Sequence, residues 1–155
     1  MEVRDVRRSA RRDGPHIPTR VLFKVSYQRI RKDSRMQTNN LNAEDLGQFI
    51  GSEQWYRHSL VRSITYTDGA KYVADHGGAY WLLDEIALAQ KFSAAVKAEP
   101  FQVWKLTVNE RQGLLTCDDG NGNVVYTKRI PFTDFPLTEI KFYFTDNVIL
   151  LPSEY

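Results

Sequence analysis

From Phe101 to Leu151 the hydrophobic period of the chain is two. Trp104, Leu106 and Val108 alternate with Val103, Lys105 and Thr107, and Ile140, Phe142 and Phe144 alternate with Glu139, Lys141 and Tyr143. Successive strand side chains point to opposite faces, so this pattern describes strands with one buried face. Short breakers separate them. A turn with Gly113 precedes Leu114–Cys117, and Asp118-Asp119-Gly120-Asn121-Gly122-Asn123 precedes Val124–Ile130. Pro131-Phe132-Thr133-Asp134-Phe135-Pro136 is a fixed-φ connector, and Thr145-Asp146-Asn147 turns the chain back into Val148–Leu151. Turns this tight join antiparallel neighbours.

Before residue 101 the period is mainly helical. Asn42 is placed as an N-cap ahead of Ala43-Glu44-Asp45-Leu46, with Leu46, Phe49 and Ile50 on one face and Gly51 closing the run. Leu60–Tyr66, Asp68-Gly69 and Ala70–Ala74 read as a hairpin, because an Asp-Gly pair between β-rich segments favours one. After Gly77-Gly78, residues 79–98 read as one helix. Trp81, Glu85, Leu88 and Phe92 form a stripe, Leu82, Ile86 and Ala89 lie beside it, and Pro100 stops the run. The expected fold class is α+β: an antiparallel sheet packed by one main helix (about 79–98), with a short N-terminal helix (about 42–50).

The charge is unevenly distributed. Residues 1–35 hold eleven basic side chains against four acidic ones, a net of +7, whereas residues 36–155 hold ten against fifteen, a net of −5. The expected division is therefore a basic N-terminal extension over 1–35 and a single domain over 36–155. The extension, with Arg7, Arg8, Arg11 and Arg12, admits several readings: a disordered basic arm, a translated upstream region with Met36 as the real start, or an arm that neutralises phosphates. An organelle presequence fits least, because Glu2, Asp5 and Asp13 interrupt it. Nucleic acid is expected as a partner only through these residues. No apolar run approaches the length of a membrane-spanning helix, and Cys117 is the single cysteine, so a reducing cytoplasm is the expected compartment.

Several stretches carry a resemblance. They are Phe49-Ile50-Gly51-Ser52-Glu53-Gln54-Trp55-Tyr56-Arg57-His58, Tyr66-Thr67-Asp68-Gly69-Ala70-Lys71-Tyr72, Gly78-Ala79-Tyr80-Trp81-Leu82-Leu83-Asp84-Glu85-Ile86-Ala87, Phe101-Gln102-Val103-Trp104-Lys105-Leu106 and Asn147-Val148-Ile149-Leu150-Leu151-Pro152-Ser153-Glu154-Tyr155. Over about residues 40–155 the chain resembles a family of short bacterial proteins, many on plasmids, phages or other mobile elements, catalogued as a domain of unknown function. The resemblance brings no activity with it. It implies a start just before the first helix, from which the Arg-rich extension departs.

The residues offer few chemical constellations. Cys117, His58 and His76 lack zinc-ligand spacing, so neither a metal nor a cofactor is expected. A Cys117–His nucleophile oriented by Asp75 or Asp84 lacks an activating elbow around the thiol, and a strand thiol usually behaves as a small hydrophobe. The Asp118–Asn123 run has Tyr126 where a calcium loop would place its glutamate, so it reads as a polar turn. Asp75-His76-Gly77-Gly78 reads as a turn rather than an anion cradle. Asp84 and Glu85 are adjacent on a helix and cannot face one substrate atom. Trp55-Tyr56-Arg57-His58 combines aromatic bodies with polar tips. It reads either as a connector tucking Trp55 into the core or as a binding cluster.

The candidate ligand- or partner-binding residues are therefore Tyr56, Arg57, His58, His76, Tyr80 and Asp84. The leading expectation is a non-enzymatic cytoplasmic module that binds a protein partner. The alternatives are a small hydrolase or transferase using His58, His76 and Asp84, and nucleic-acid binding through the arginine arm.

Overall fold

A computed structural model describes residues 39–155. The extension with Arg7, Arg8, Arg11 and Arg12 lies outside them. Seven strands form one sheet: β1 (Trp55–Arg57), β2 (Thr65–Thr67), β3 (Phe101–Asn109), β4 (Gln112–Asp118), β5 (Val124–Ile130), β6 (Glu139–Thr145) and β7 (Val148–Leu150). Their order is β1-β2-β7-β6-β3-β4-β5. All neighbours are antiparallel except β2 and β7, which run parallel. The sheet is therefore mixed rather than purely antiparallel. The helices between β2 and β3 carry the chain away before β7 returns beside β2.

The period-two expectation places β3 to β7 correctly and misplaces one turn. The β3–β4 reversal falls on Glu110 and Arg111, both with positive φ (48° and 66°). Gly113 instead sits within β4 opposite Val108 and Ile130, where a Cβ would meet Ile130 and Leu106 side chains at 3.1 and 3.2 Å. Its value is close strand packing rather than turning. The Asp118–Asn123 turn is as expected. Asp119 accepts from the Asn121 and Asn123 amides at 2.8 and 3.1 Å and from Asn123 Nδ2 at 2.8 Å. The Asn123 bond leads the interactions that pull its carboxyl down to about 2.

Asp68-Gly69 is not a hairpin. It opens helix α1 (Asp68–Gly77), whose buried face is Gly69, Ala70, Val73, Ala74 and Gly77, a helical spacing. Thr67 is the N-cap, its hydroxyl accepting from the Ala70 amide at 3.4 Å. The same hydroxyl donates to Glu154 Oε2 at 2.5 Å, and Glu154 Oε1 accepts the Gly69 amide at 2.9 Å. A carboxylate from the C-terminal turn thus satisfies a helix N-terminus. Helix α1 ends at Gly78 in the left-handed region (φ 59°), so Asp75, His76 and Gly77 belong to the helix rather than to a turn.

Residues 79–98 form two helices, not one. α2 (Tyr80–Phe92) buries Leu82, Leu83, Ile86, Ala87 and Ala89, while Phe92 is exposed. Ser93 breaks the run because its hydroxyl caps α3 (Ala94–Lys97), accepting from Val96 N at 3.4 Å. The N-terminal helix is a 3-10 turn, Ala43–Gln48, capped by Asn42 as expected. Phe49 and Ile50 lie beyond it, with Ile50 exposed. No described helix is long and apolar enough to cross a membrane.

All three α-helices of the described residues share one sheet face. Glu85 of α2 pairs with Lys128 of β5, Gln90 of α2 bonds Gln102 of β3, and Lys71 of α1 lies over the Tyr56 ring of β1. That face carries the buried Trp104, Leu106, Leu115, Cys117, Ile140, Phe142, Phe144 and Ile149. The opposite face, with Val103, Lys105, Thr116, Lys141 and Tyr143, is half-buried to exposed.

A buried amide ties the two layers together. Gln102 is 1% exposed, and its Oε1 accepts from Trp104 Nε1 at 2.9 Å and Gln90 Nε2 at 2.6 Å. Its Nε2 has Gln90 Oε1, Val96 O and Glu99 O within 2.8–3.0 Å. Gln102→Leu keeps the volume but strands the Trp104 N–H and the Val96 carbonyl. Urea unfolding should show a loss of about 2–4 kcal/mol, as expected for several unpaired buried groups. Glu154→Ala, which uncaps α1 from a partly exposed position, should cost about 1–2 kcal/mol in the same assay.

Candidate functional site

His58 follows β1 directly, and its backbone amide donates to Ile64 O at 2.9 Å across the β1–β2 loop. The ring is 3% exposed. Its Nδ1 accepts the amides of Leu60 and Val61 at 3.2 and 3.1 Å, and its Nε2 lies 3.0 Å from Asp84 Oδ1 on α2. Two N–H donors facing Nδ1 require that nitrogen to be bare, so the ring proton sits on Nε2 and points at Asp84. Both nitrogens are engaged, and neither is available to a substrate proton in this arrangement. The imidazole clamps the loop to the helix.

Tyr66 of β2 stands edge-on to His58, with centroids 6.5 Å apart, and stacks on Tyr56 of β1 at 5.7 Å. Lys71 covers the other side of Tyr56, its Nζ 5.4 Å from the ring centroid. It pairs with Asp75 one turn on at 2.5 Å, and Asp75 Oδ1 accepts the Tyr80 hydroxyl at 2.6 Å. Burial alone would raise the Asp75 carboxyl, but the bonds from Lys71 and Tyr80 outweigh it and hold it below its usual value. The Asp75 bond raises the Lys71 ammonium. Burial, then the same carboxylate, push the Tyr80 phenol well above its ordinary range. Tyr56 donates to Gln54 Oε1 at 3.1 Å, and the neighbouring Asp68 carboxylate raises its phenol.

Of these side chains Tyr56, Asp68, Lys71 and Asp75 border a groove of about 460 Å³ between β1, α1 and the segment after the 3-10 turn. Among the described residues Phe49, Tyr56 and Tyr72 supply aromatic surface, and Glu53, Asp68 and Asp75 supply carboxylates against the single cation Lys71. Phe49 and Tyr72 pack at 5.1 Å, and the Tyr72 hydroxyl donates to Asp45 at 3.2 Å.

The structure brings four of the six candidate residues into one connected cluster: Tyr56, His58, Tyr80 and Asp84. Arg57 is not among them, because strand alternation sends it to the opposite face of β1, where it is exposed. His76 sits instead on Tyr72, with its ring 3.9 Å away and its Nδ1 3.0 Å from Tyr72 O. Trp55 is 64% exposed on β1 and does not tuck into the core. Asp84 and Glu85 diverge as their helical spacing requires, one to His58 and the other to Lys128. Cys117 is fully buried, and burial pushes its thiol up to about 12, so it is not an activated thiolate. Among the described residues no group of three His, Cys, Asp or Glu side chains gathers as a metal site.

Sequence reading missed Tyr66 and Lys71. Their signal was the i, i+4 spacing of Lys71 and Asp75, which becomes visible once Asp68–Gly77 is read as a helix.

The chain belongs to a family of unknown function, DUF6876, whose model matches residues 40–155. No curated protein and no solved structure matches it.

The clamp makes a measurable distinction. His58→Ala leaves the Leu60 and Val61 amides without an acceptor and should cost about 2–3 kcal/mol. Asp84→Asn should cost under about 1 kcal/mol, because the site is 40% exposed and an amide oxygen still accepts. Hydrogen exchange at Leu60 and Val61 should accelerate in the first variant and not in the second.

Proposed function

Starting from membership of that family, we propose that the chain is a non-enzymatic interaction module that binds a protein partner through the acidic aromatic groove beside β1. The observation that carries this is the groove's composition: three aromatic rings and three carboxylates around one lysine. A net negative aromatic surface favours a basic side chain, which gains Coulomb attraction and ring contact together. Lys71 over Tyr56 is an internal example of that contact. The partner's contribution is accordingly a segment rich in Arg or Lys, with Tyr56 as an anchor and Glu53 as a carboxylate outside the ion pairs of the described residues. A bacterial cytoplasm, with the gene on a mobile element, is the setting that the resemblance of residues 40–155 supports.

Two other readings have less support. A hydrolase or transferase built on His58, His76 and Asp84 requires a free imidazole nitrogen beside the carboxylate; His58 has none, and His76 bonds Tyr72 O through Nδ1 without contacting His58 or Asp84. Nucleic-acid binding rests on Arg7, Arg8, Arg11 and Arg12, outside the described residues.

Photo-crosslinking from position 50, on the rim of the groove, in the native host tests the proposal. The full chain should capture one protein. Glu53→Lys with the crosslinker at the same position should weaken capture about tenfold, and rising salt should weaken it further. Capture that is indifferent to both the charge reversal and salt would end the reading.

A further inference from the structure

A second groove, of about 680 Å³, opens where the β1–β2 loop, the C-terminal end of α2, the linker into β3 and the β6–β7 turn meet. Its floor is apolar, with Ile64 and Phe144 both buried. Its walls carry Arg62 from the loop, Lys91 from α2 and Lys97 from α3.

These cations stand out against the rest of the surface. Of ten basic side chains in the described residues, Lys71, Lys105, Lys128 and Lys141 make ion pairs. The remaining six lack a carboxylate of the described residues within 4.0 Å, and three of those six line this one groove. The dipole of α2 accounts for a lysine in its last turn. It does not account for Arg62, which sits on a loop, or for the convergence of three elements on one concavity. Glu99 and Asp146 share the groove without pairing to any of the three.

We propose that this groove binds an organic phosphate of about nucleotide size. Arg62, Lys91 and Lys97 face the phosphate, since clustered cations form charge-assisted bonds to its oxygens. The Ile64–Phe144 floor takes an apolar ring. Glu99 and Asp146 accept from hydroxyl groups, and the Asn147 amide lies beside them. The volume falls within the range of small-molecule sites. The site is separate from the aromatic groove and would stand if the protein-partner reading failed.

Titration of the full chain with AMP, inorganic phosphate and adenosine, followed by amide chemical shifts, tests the assignment. AMP should perturb residues 60–64, 90–99 and 144–147, phosphate should bind more weakly, and adenosine should not bind. Arg62→Ala with Lys97→Ala should weaken AMP by about tenfold or more while leaving the remaining spectrum folded. Binding of AMP should also fall as salt rises. The proposal is overturned if AMP gives no shifts at millimolar concentration or if adenosine binds as well as AMP. It is equally overturned if the double variant binds AMP like the parent, or if phosphate binds and AMP does not.

Discussion

The arrangement of helices over the sheet depends on a single buried amide. Gln102 faces the helix layer from β3, where its neighbours on the same face are Trp104 and Phe144. An amide in that position is costly unless every donor and acceptor finds a partner. Here the partners come from α2, from the carbonyl of Val96 in α3 and from the carbonyl of Glu99 in the linker. The requirement to satisfy Gln102 thus fixes where α2 ends, why the chain bends into α3, and how it re-enters the sheet. An apolar residue there would pack against Trp104 without specifying any of this.

A second constraint acts at the other end of the helix layer. Gly69 and Gly77 let α1 approach closely, since a Cβ would meet Glu154 and Leu151 at one and the Phe135 ring at the other, each at 2.7 Å. Glu154 then closes the N-terminus of the helix. With α1 held this close, Lys71 and Asp75 lie against Tyr56 and Tyr80. The tyrosine cluster is therefore a consequence of two glycines and a C-terminal carboxylate, none of which is part of it.

Sequence period was informative wherever one face of an element met the core and the other met water. The strands from β3 onward and the Asn42 cap were legible for that reason. Reading failed where two local signals compete. Thr67-Asp68-Gly69 satisfies both a hairpin turn and a capped helix, and only the burial of Ala70, Val73 and Ala74 on one side decides for the helix. Ser93 looks neutral inside a helix until its hydroxyl is seen capping the next one. Trp55 illustrates a different limit. Its average burial across proteins says little on a three-residue edge strand whose outward face none of the described residues covers. The candidate site was half legible. Tyr56 and His58 lie two residues apart and meet partners from α1 and α2, whereas Arg57 between them must face away. That alternation was available before the structure. The convergence of Arg62, Lys91 and Lys97 was not, because it depends on the bend between α2 and α3.

The His58 clamp has a wider consequence than its two hydrogen bonds. On one side its ring meets Tyr66, which supports Tyr56 in the acidic aromatic groove. On the other, its Nδ1 fixes Leu60 and Val61, the start of the loop that presents Arg62 to the cationic groove. Asp84 anchors the same ring to α2, which supplies Tyr80 near its N-terminal end and Lys91 near its C-terminal end. A histidine that resembles half of a catalytic pair in the sequence is thus a junction in the fold. Its geometry would be compromised by the free ring nitrogen that acid–base chemistry requires, because releasing Nδ1 would release the loop.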